Sequence, residues 1–138
     1  MLEQLKQLQK LFSKDDSWIQ KYFSHLKPNL PPLVVDKVCE KSYGTEDAPP
    51  EYFCFCLMGG VRRVIGLQDF KLYEDMHVAL FKQIQILDPS YLMMPEEELG
   101  ALGSGVIAFN DAPSTSLEDV RKVIAMAIKL EEARILAS

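Results

Sequence analysis

The stretch FKLYEDMHVALFKQIQIL, residues 70–87, decides the fold class of this chain. Its apolar side chains recur every three or four residues, which places them on one side of an α-helix. That side carries Phe70, Tyr73, His77, Leu80, Phe81, Ile84 and Leu87. Lys82 and Gln85 point away from it, and Asp88-Pro89 ends the pattern because the residue before a proline disfavours the helical conformation. The segment predicts a long amphipathic helix that packs against the rest of the chain.

Amphipathic helices are also predicted towards both ends of the chain. Residues 1–14 are predicted to form an N-terminal helix with an apolar stripe of Leu2, Leu5, Leu8, Leu11 and Phe12. This stripe either packs inside the molecule or projects and pairs with a second copy of the chain. The last helix begins at a capping-box pattern, Ser116 with Asp119 or Thr115 with Glu118. Its inner face is predicted to consist of Leu117, Val120, Ile124, Ile128 and Ile135.

The segment EYFCFCLMGGVRRVIG, residues 51–66, is ambiguous. Apolar residues at helical spacing favour a helix that starts at Phe53, although the aromatic residues at its beginning also suit a strand. Within it, Cys56, Gly59 and Gly60 form a small-residue patch that another backbone can approach closely. We favour a helix here, with helix and strand both left open for residues 51–58, and its small residues would let another backbone approach.

Shorter elements are predicted between these helices. Asp15 or Asp16 is expected to cap a short second helix over residues 18–23. Pro95 suits the first position of another short helix. Val106–Phe109 is expected to be a buried strand, or an extended segment that leads into a turn.

Composition places these elements in one domain. The chain has 138 residues, of which 48% are hydrophobic and 25% are charged, as is ordinary for one globular domain. We therefore predict a single compact domain over residues 1–138 that is mostly α, with about four to five helices and at most short strands, and α+β as the alternative. No run of about 18 apolar residues occurs, so no membrane span is expected.

Charge and cysteine content indicate the compartment and exclude some partners. A net charge of −5 without a Lys/Arg cluster argues against bulk nucleic-acid binding. Residues 1–43 carry seven basic and five acidic side chains, whereas residues 44–138 carry eight and fifteen. The cysteines Cys39, Cys54 and Cys56 are odd in number, which fits reduced thiols in the cytoplasm better than a disulfide framework. Their spacing matches no common metal site, and we predict neither a metal nor a cofactor.

Cys56 and His77 are the candidates for catalysis. A nucleophilic Cys56 needs thiolate character, which His77 could provide as a neighbouring imidazole, with Asn110 or Asp111 to orient the ring. The alternative is that Cys56 packs in its apolar run and that His77 is a core residue of its helix. Packing is the commoner role for such residues, so we assign no catalytic residue.

The ligand-binding candidates are Trp18, Asn110, Asp111, Thr115 and Ser116. Asn110 and Asp111 either stabilise a turn or point into a pocket beside the N-terminus of the last helix, where exposed amides suit a phosphate or carboxylate. Trp18, with Tyr22 and Phe23, either packs in the core or forms a stacking surface, and the core is the commoner place for such a cluster.

Short motifs in this chain resemble an uncharacterised family of small bacterial and phage proteins. The matching residues are Trp18, Cys56-Leu57-Met58-Gly59-Gly60, Phe109-Asn110-Asp111, Val120 and Ala127. The chain departs from the family pattern at Phe109, where tryptophan is usual, and at Gly60, where alanine is usual. The resemblance carries no established activity, and it implies that Cys56, Gly59, Asn110 and Asp111 meet in space.

These observations favour a small cytoplasmic binding or regulatory protein without catalysis, accessory or phage-encoded. Its expected partner is another protein or a second copy of the chain in a homo-oligomer, with no membrane and no bulk nucleic acid. One alternative is a Cys56-dependent enzyme of acyl or thiol transfer or hydrolysis. The other is a sensor of a nucleotide or another small phosphate-bearing molecule, with its pocket near Asn110 and Asp111.

Overall fold

The computed structural model describes residues 1–28, 30–31, 50–66, 69–93 and 104–138. The helices of this part are α1 (Leu2–Leu11), α2 (Leu57–Ile65), α3 (Phe70–Leu87), α4 (Ser104–Asp111) and α5 (Leu117–Ala137). The strands are β1 (Ser24–Leu26) and β2 (Phe53–Phe55), and single turns of 3-10 helix lie at Pro50–Tyr52 and Pro89–Met93. The predicted mostly-α fold with only short strands is confirmed. No helix in these described ranges is long and apolar enough to cross a membrane.

The helices enclose one apolar core. Helix α5 packs against α1 and α3, and α2 packs against α1, α3 and α4. The stripe of α1 faces this core, where Leu5, Leu8 and the following Phe12 are fully buried. Each such side chain contributes about 1.5–3 kcal/mol through burial. The leucine stripe therefore packs inside the molecule, which is one of the two arrangements considered for it.

Helix α3 follows its predicted pattern. Asp69 caps its N-terminus by accepting a hydrogen bond from the Leu72 amide at 3.0 Å, and Asp88 follows its last residue. Its buried residues are Met76, His77, Leu80, Phe81, Gln83 and Ile84. Phe70 departs from the pattern, since it is 73% exposed on the first turn.

The predicted helix over 53–66 is wrong at its start. Phe53–Phe55 is a strand that pairs antiparallel with Ser24–Leu26, and all three of its side chains are buried. Helix α2 begins at Leu57, after Cys56. The strand forms because its backbone groups find partners far away in the sequence, which local periodicity does not report.

Two other expectations are corrected. Residues 18–23 are not a helix, because Trp18 forms a β-bridge with Phe55 and the Ile19 amide donates to the Phe55 carbonyl at 3.0 Å. Val106–Phe109 is neither strand nor extended, because it lies inside α4. Asn110 and Asp111 therefore end a helix. The short helix predicted from Pro95, and Cys39, lie outside the described residues.

Helix α5 begins as predicted, at a capping box of Ser116 and Asp119. The Ser116 amide donates to Asp119 Oδ2 at 2.9 Å, and the Asp119 amide donates to Ser116 Oγ at 3.2 Å. Val120, Ile124 and Ile128 are buried, whereas Ile135 is 44% exposed because the last turns extend beyond the core.

Candidate functional site

Asn110, at the end of α4, connects three segments of the chain. Its side-chain oxygen accepts hydrogen bonds from the Trp18 indole at 2.6 Å and from the Leu57 amide at 2.9 Å. Its side-chain nitrogen donates to the Ile19 carbonyl at 3.1 Å and to Asp111 Oδ1 at 3.0 Å. An asparagine side chain has two N–H groups and two lone pairs, so all four are used. Asn110 is 0% exposed and acts here as a buried structural connector.

Residues 18–23, which we call the strap, cross the end of α4 as an irregular segment with a β-bridge at Trp18. Asp111 Oδ1 accepts a hydrogen bond from the Lys21 amide at 2.7 Å. Gln20 Nε2 donates to the carbonyls of Asn110 at 3.0 Å and Ala112 at 2.9 Å. The strap is therefore attached to α4 through side chains and backbone along most of its length.

The backbone of the strap is locally strained at Lys21. Its φ is 71°, in the left-handed region that residues other than glycine rarely adopt. Such a conformation costs about 1–2 kcal/mol and persists only where surrounding contacts hold it. The bond from the Lys21 amide to Asp111 is one of those contacts.

Helix α2 contacts the strap at Gly59, where the two backbones approach closely. A Cβ atom at this position would lie 1.8 Å from the carbonyl oxygen of Phe23, well inside any possible contact. The same oxygen accepts a hydrogen bond from the Cys56 amide at 3.3 Å. The prediction that another backbone approaches the small-residue patch closely is confirmed at Gly59. At Gly60 the neighbour is instead the ring of Phe12, 2.7 Å from a hypothetical Cβ.

The strap exposes aromatic side chains while its backbone is engaged. Tyr22 is 58% exposed and Phe23 is 44% exposed. The Tyr22 ring meets His25 edge-on at 5.5 Å, and the Arg62 guanidinium lies 4.8 Å from the centre of the Phe23 ring, a cation–π geometry. We call Tyr22, Phe23, His25 and Arg62 the aromatic patch. The expected aromatic core cluster is thus divided: Trp18 is half-buried on Asn110, and the other two residues face solvent.

The Cys56 side chain caps α2. Its sulfur accepts a hydrogen bond from the Gly59 amide at 3.2 Å, and the residue is 5% exposed. Burial raises the pKa of the Cys56 thiol, the Gly59 amide opposes this in part, and the Asp111 carboxylate raises it further. A helix N-terminus usually lowers a cysteine pKa, so here the apolar surroundings outweigh the helix. The thiol is protonated near neutral pH.

His77 lies elsewhere, in the middle of α3. Its ring stacks on Phe81 at a centroid distance of 6.0 Å and an interplanar angle of 11°. Among the described residues, no hydrogen bond joins His77 to Cys56. The buried Nε2 atom of His77 has no hydrogen-bond partner in this part of the chain. The structure therefore brings Cys56, Asn110 and Asp111 to one place, and no hydrogen bond among the described residues connects His77 with them.

We expect the free energy of unfolding to decrease as the pH is lowered from about 6.5, the ordinary pKa of histidine. The reason is that burial lowers the pKa of His77 in the folded chain. The unfolded chain then binds a proton that the folded chain does not, so the free energy of unfolding decreases by up to about 1.4 kcal/mol per pH unit until the folded pKa is reached. His77→Phe keeps a ring against Phe81 and should remove this slope in urea denaturation at about pH 7.5 and 5.5. An equal slope in both proteins would contradict the assignment.

The structure also contains a cleft that motif reasoning missed. Its volume is about 410 Å³, and we call it the basic cleft. Its described lining residues are Gln7, Lys10, Leu11, Lys14, Ser17, Lys27, Pro50, Glu51, Phe53, Arg63 and Val64. The sequence signals were the positive excess of residues 1–43 and the spacing of Gln7, Lys10, Leu11 and Lys14, which would share one side of the predicted helix over residues 1–14.

Comparison with known proteins gives a family without an assigned activity. No curated protein and no solved structure matches the chain. Residues 5–130 match the model of a family of unknown function, DUF6197. Since that match includes the strap, the Cys56–Gly59 segment, Asn110 and most of α1 and α5, this chain belongs to the DUF6197 family.

Proposed function

We propose that this protein is a binding protein without catalysis, that its partner is another protein, and that the aromatic patch is the surface that binds it. One observation carries the proposal: the strap backbone is held by hydrogen bonds to Asn110 and Asp111 while Tyr22 and Phe23 remain exposed. A strained segment with several anchors and outward aromatic rings is typical of a recognition surface.

The energetics of the patch support a protein partner. Tyrosine and arginine are the residues most enriched among interface positions that dominate binding energy. A segment already fixed in one conformation loses little entropy on binding, which favours affinity. The acidic net charge of −5 opposes a nucleic-acid partner for the same rings.

The contacts of the motif residues support the absence of catalysis. A cysteine nucleophile needs a thiolate, and burial keeps the Cys56 thiol protonated. To orient a catalytic imidazole, Asn110 would need a free side-chain oxygen. That oxygen already accepts hydrogen bonds from the Trp18 indole and the Leu57 amide, and the side-chain nitrogen donates to the Ile19 carbonyl. Free thiols at Cys54 and Cys56 fit a reducing cytoplasm as the compartment.

We expect the double variant Tyr22→Ser, Phe23→Ser to fold normally and to lose its partner. Both side chains are exposed, so stability should change by less than about 1 kcal/mol. Tagged wild type and variant are used as baits in extract of the source cell, and captured proteins are quantified by mass spectrometry. Affinity for the purified partner should fall about 100-fold, since aromatic hot spots contribute 2 kcal/mol or more.

The matched control is Leu136→Ser, which removes an 87% exposed apolar side chain from the last turn of α5, outside the aromatic patch. This control should capture what the wild type captures. Light scattering shows whether the partner is a second copy, in which case the double variant has half the mass of the wild type. The aromatic patch is ruled out as the binding surface if the wild type is a monomer and its captured proteins bind the wild type, the double variant and the control equally well.

A further inference from the structure

We propose that the basic cleft binds a small organic phosphate, of the size of a nucleoside diphosphate, at a site separate from the aromatic patch. The cleft and the patch share no residue, and the proposal stands whether or not the patch binds a protein. It also differs from the pocket expected near Asn110, because Asn110 is fully buried and fully hydrogen-bonded.

The walls of the cleft come from segments already fixed by the core. Helix α1 directs its leucine stripe into the core, and one wall of the cleft contains Lys10 from α1 and Lys14 from the segment that follows the helix. The opposite wall contains Arg63 and Val64, at the end of α2, and the turn at Glu51. Both helices pack on the core through buried residues, so the backbone of these two walls is fixed, as is usual for small-molecule sites.

The charge of the cleft favours an anion. Four of its described lining residues are cationic, Lys10, Lys14, Lys27 and Arg63, and Glu51 is the only acidic one in that described set. The Lys27 side chain is 10% exposed, and its ammonium pairs with Asp16 at 3.0 Å. Neither Lys10 nor Lys14 forms an ion pair with any acidic residue in the described ranges, so their ammonium groups are available to a ligand.

The shape and the apolar residues favour an organic anion over a bare inorganic one. A volume of about 410 Å³ lies within the range of small-molecule sites and greatly exceeds what one phosphate fills. Half-buried Leu11 and Val64, with Pro50, provide apolar surface next to the cations. Lysine and arginine are the usual ligands of phosphate oxygens, so the phosphate would lie at the lysines and the organic part against the apolar wall.

The proposal is tested by titration calorimetry at low salt with three probes: ADP, inorganic pyrophosphate and adenosine. We expect ADP to bind, pyrophosphate to bind more weakly and adenosine not to bind. The double variant Lys10→Gln, Lys14→Gln should bind ADP at least tenfold more weakly, because it loses two charge-assisted contacts. Lys6→Gln is the matched control, since Lys6 is exposed on the same helix and does not line the cleft, and its affinity should stay within about twofold of wild type.

A gain of affinity provides an independent readout. Asp16→Asn releases the Lys27 ammonium from its ion pair and removes a negative charge beside the cleft. ADP should then bind about threefold more tightly, an effect that mere structural damage would not produce. The proposal is overturned if no probe binds the wild type, or if the double lysine variant binds ADP as the wild type does.

Discussion

Replacing Asn110 with alanine is expected to destabilise the protein by about 3–5 kcal/mol. The substitution leaves the Leu57 amide and the Trp18 indole without their acceptor and the Ile19 carbonyl without its donor. Each buried polar group left unpaired costs about 1–3 kcal/mol. Domains of this size are stable by about 5–15 kcal/mol, so the loss is a large share of the total. Urea denaturation followed by the fluorescence of Trp18, the single tryptophan, measures it.

Two further variants separate the Asn110 connection from general damage to α4. Asp111→Asn keeps an oxygen that accepts from the Lys21 amide, so it should cost about 1 kcal/mol or less. Trp18→Phe removes one of the donors in advance, so its combination with Asn110→Ala should cost less than the sum of the single changes. Because Trp18→Phe lacks the only tryptophan, far-UV circular dichroism follows the unfolding of all variants in this comparison. Strict additivity, or an Asn110→Ala loss below about 1 kcal/mol, would show that the connection is not the support inferred here.

Replacing Gly59 with alanine is expected to displace the strap and cost about 3 kcal/mol. The new methyl group would lie 1.8 Å from the Phe23 carbonyl oxygen, and a backbone atom cannot move aside as a side chain can. The Cys56–Phe23 backbone bond and the strained Lys21 conformation would be lost together. Hydrogen exchange should therefore show faster exchange at the amides of Ile19 and Lys21, with the core of α3 still protected.

The adjacent change, Gly60→Ala, is the comparison. It has the same effect on helix propensity, about 1 kcal/mol in favour of alanine, but its methyl group meets the Phe12 ring and not a backbone atom. We expect a smaller loss of stability and no faster exchange in the strap. Equal exchange profiles for the two variants would contradict the close approach at Gly59.

The motif residues belong to one structural support, which holds the strap and the start of α2. Asn110, Asp111, Cys56 and Gly59 meet where the family resemblance implied, and each has a contact with the strap or with the start of α2. Their meeting explains a structural role, since their hydrogen bonds join the backbone, Trp18 or one another. The support leaves the aromatic patch exposed to solvent, and the rings of the patch contribute little to the core.

Helices α1, α3 and α5 could be predicted from the sequence because their evidence is local. Their apolar residues repeat with the helical period, and the α5 capping box joins residues three apart. The close approach at the small-residue patch was also predictable, because a glycine has no Cβ whatever its partner is. The identity of that partner, Phe23, was not, since nothing near Gly59 in the sequence specifies it.

The sequence by itself determined the mostly helical class, the core faces of the long helices and the buried character of Cys56 and His77. Only the tertiary structure decided that Phe53–Phe55 is a strand, that Asn110 ends a helix, and that the strap exposes Tyr22 and Phe23. It also decided where Lys10, Lys14 and Arg63 come together in a cleft. The physical reason is the same in each case. Periodicity reports which side of a segment avoids water, whereas strand pairing, side-chain connectors and clefts depend on partners distant in the sequence.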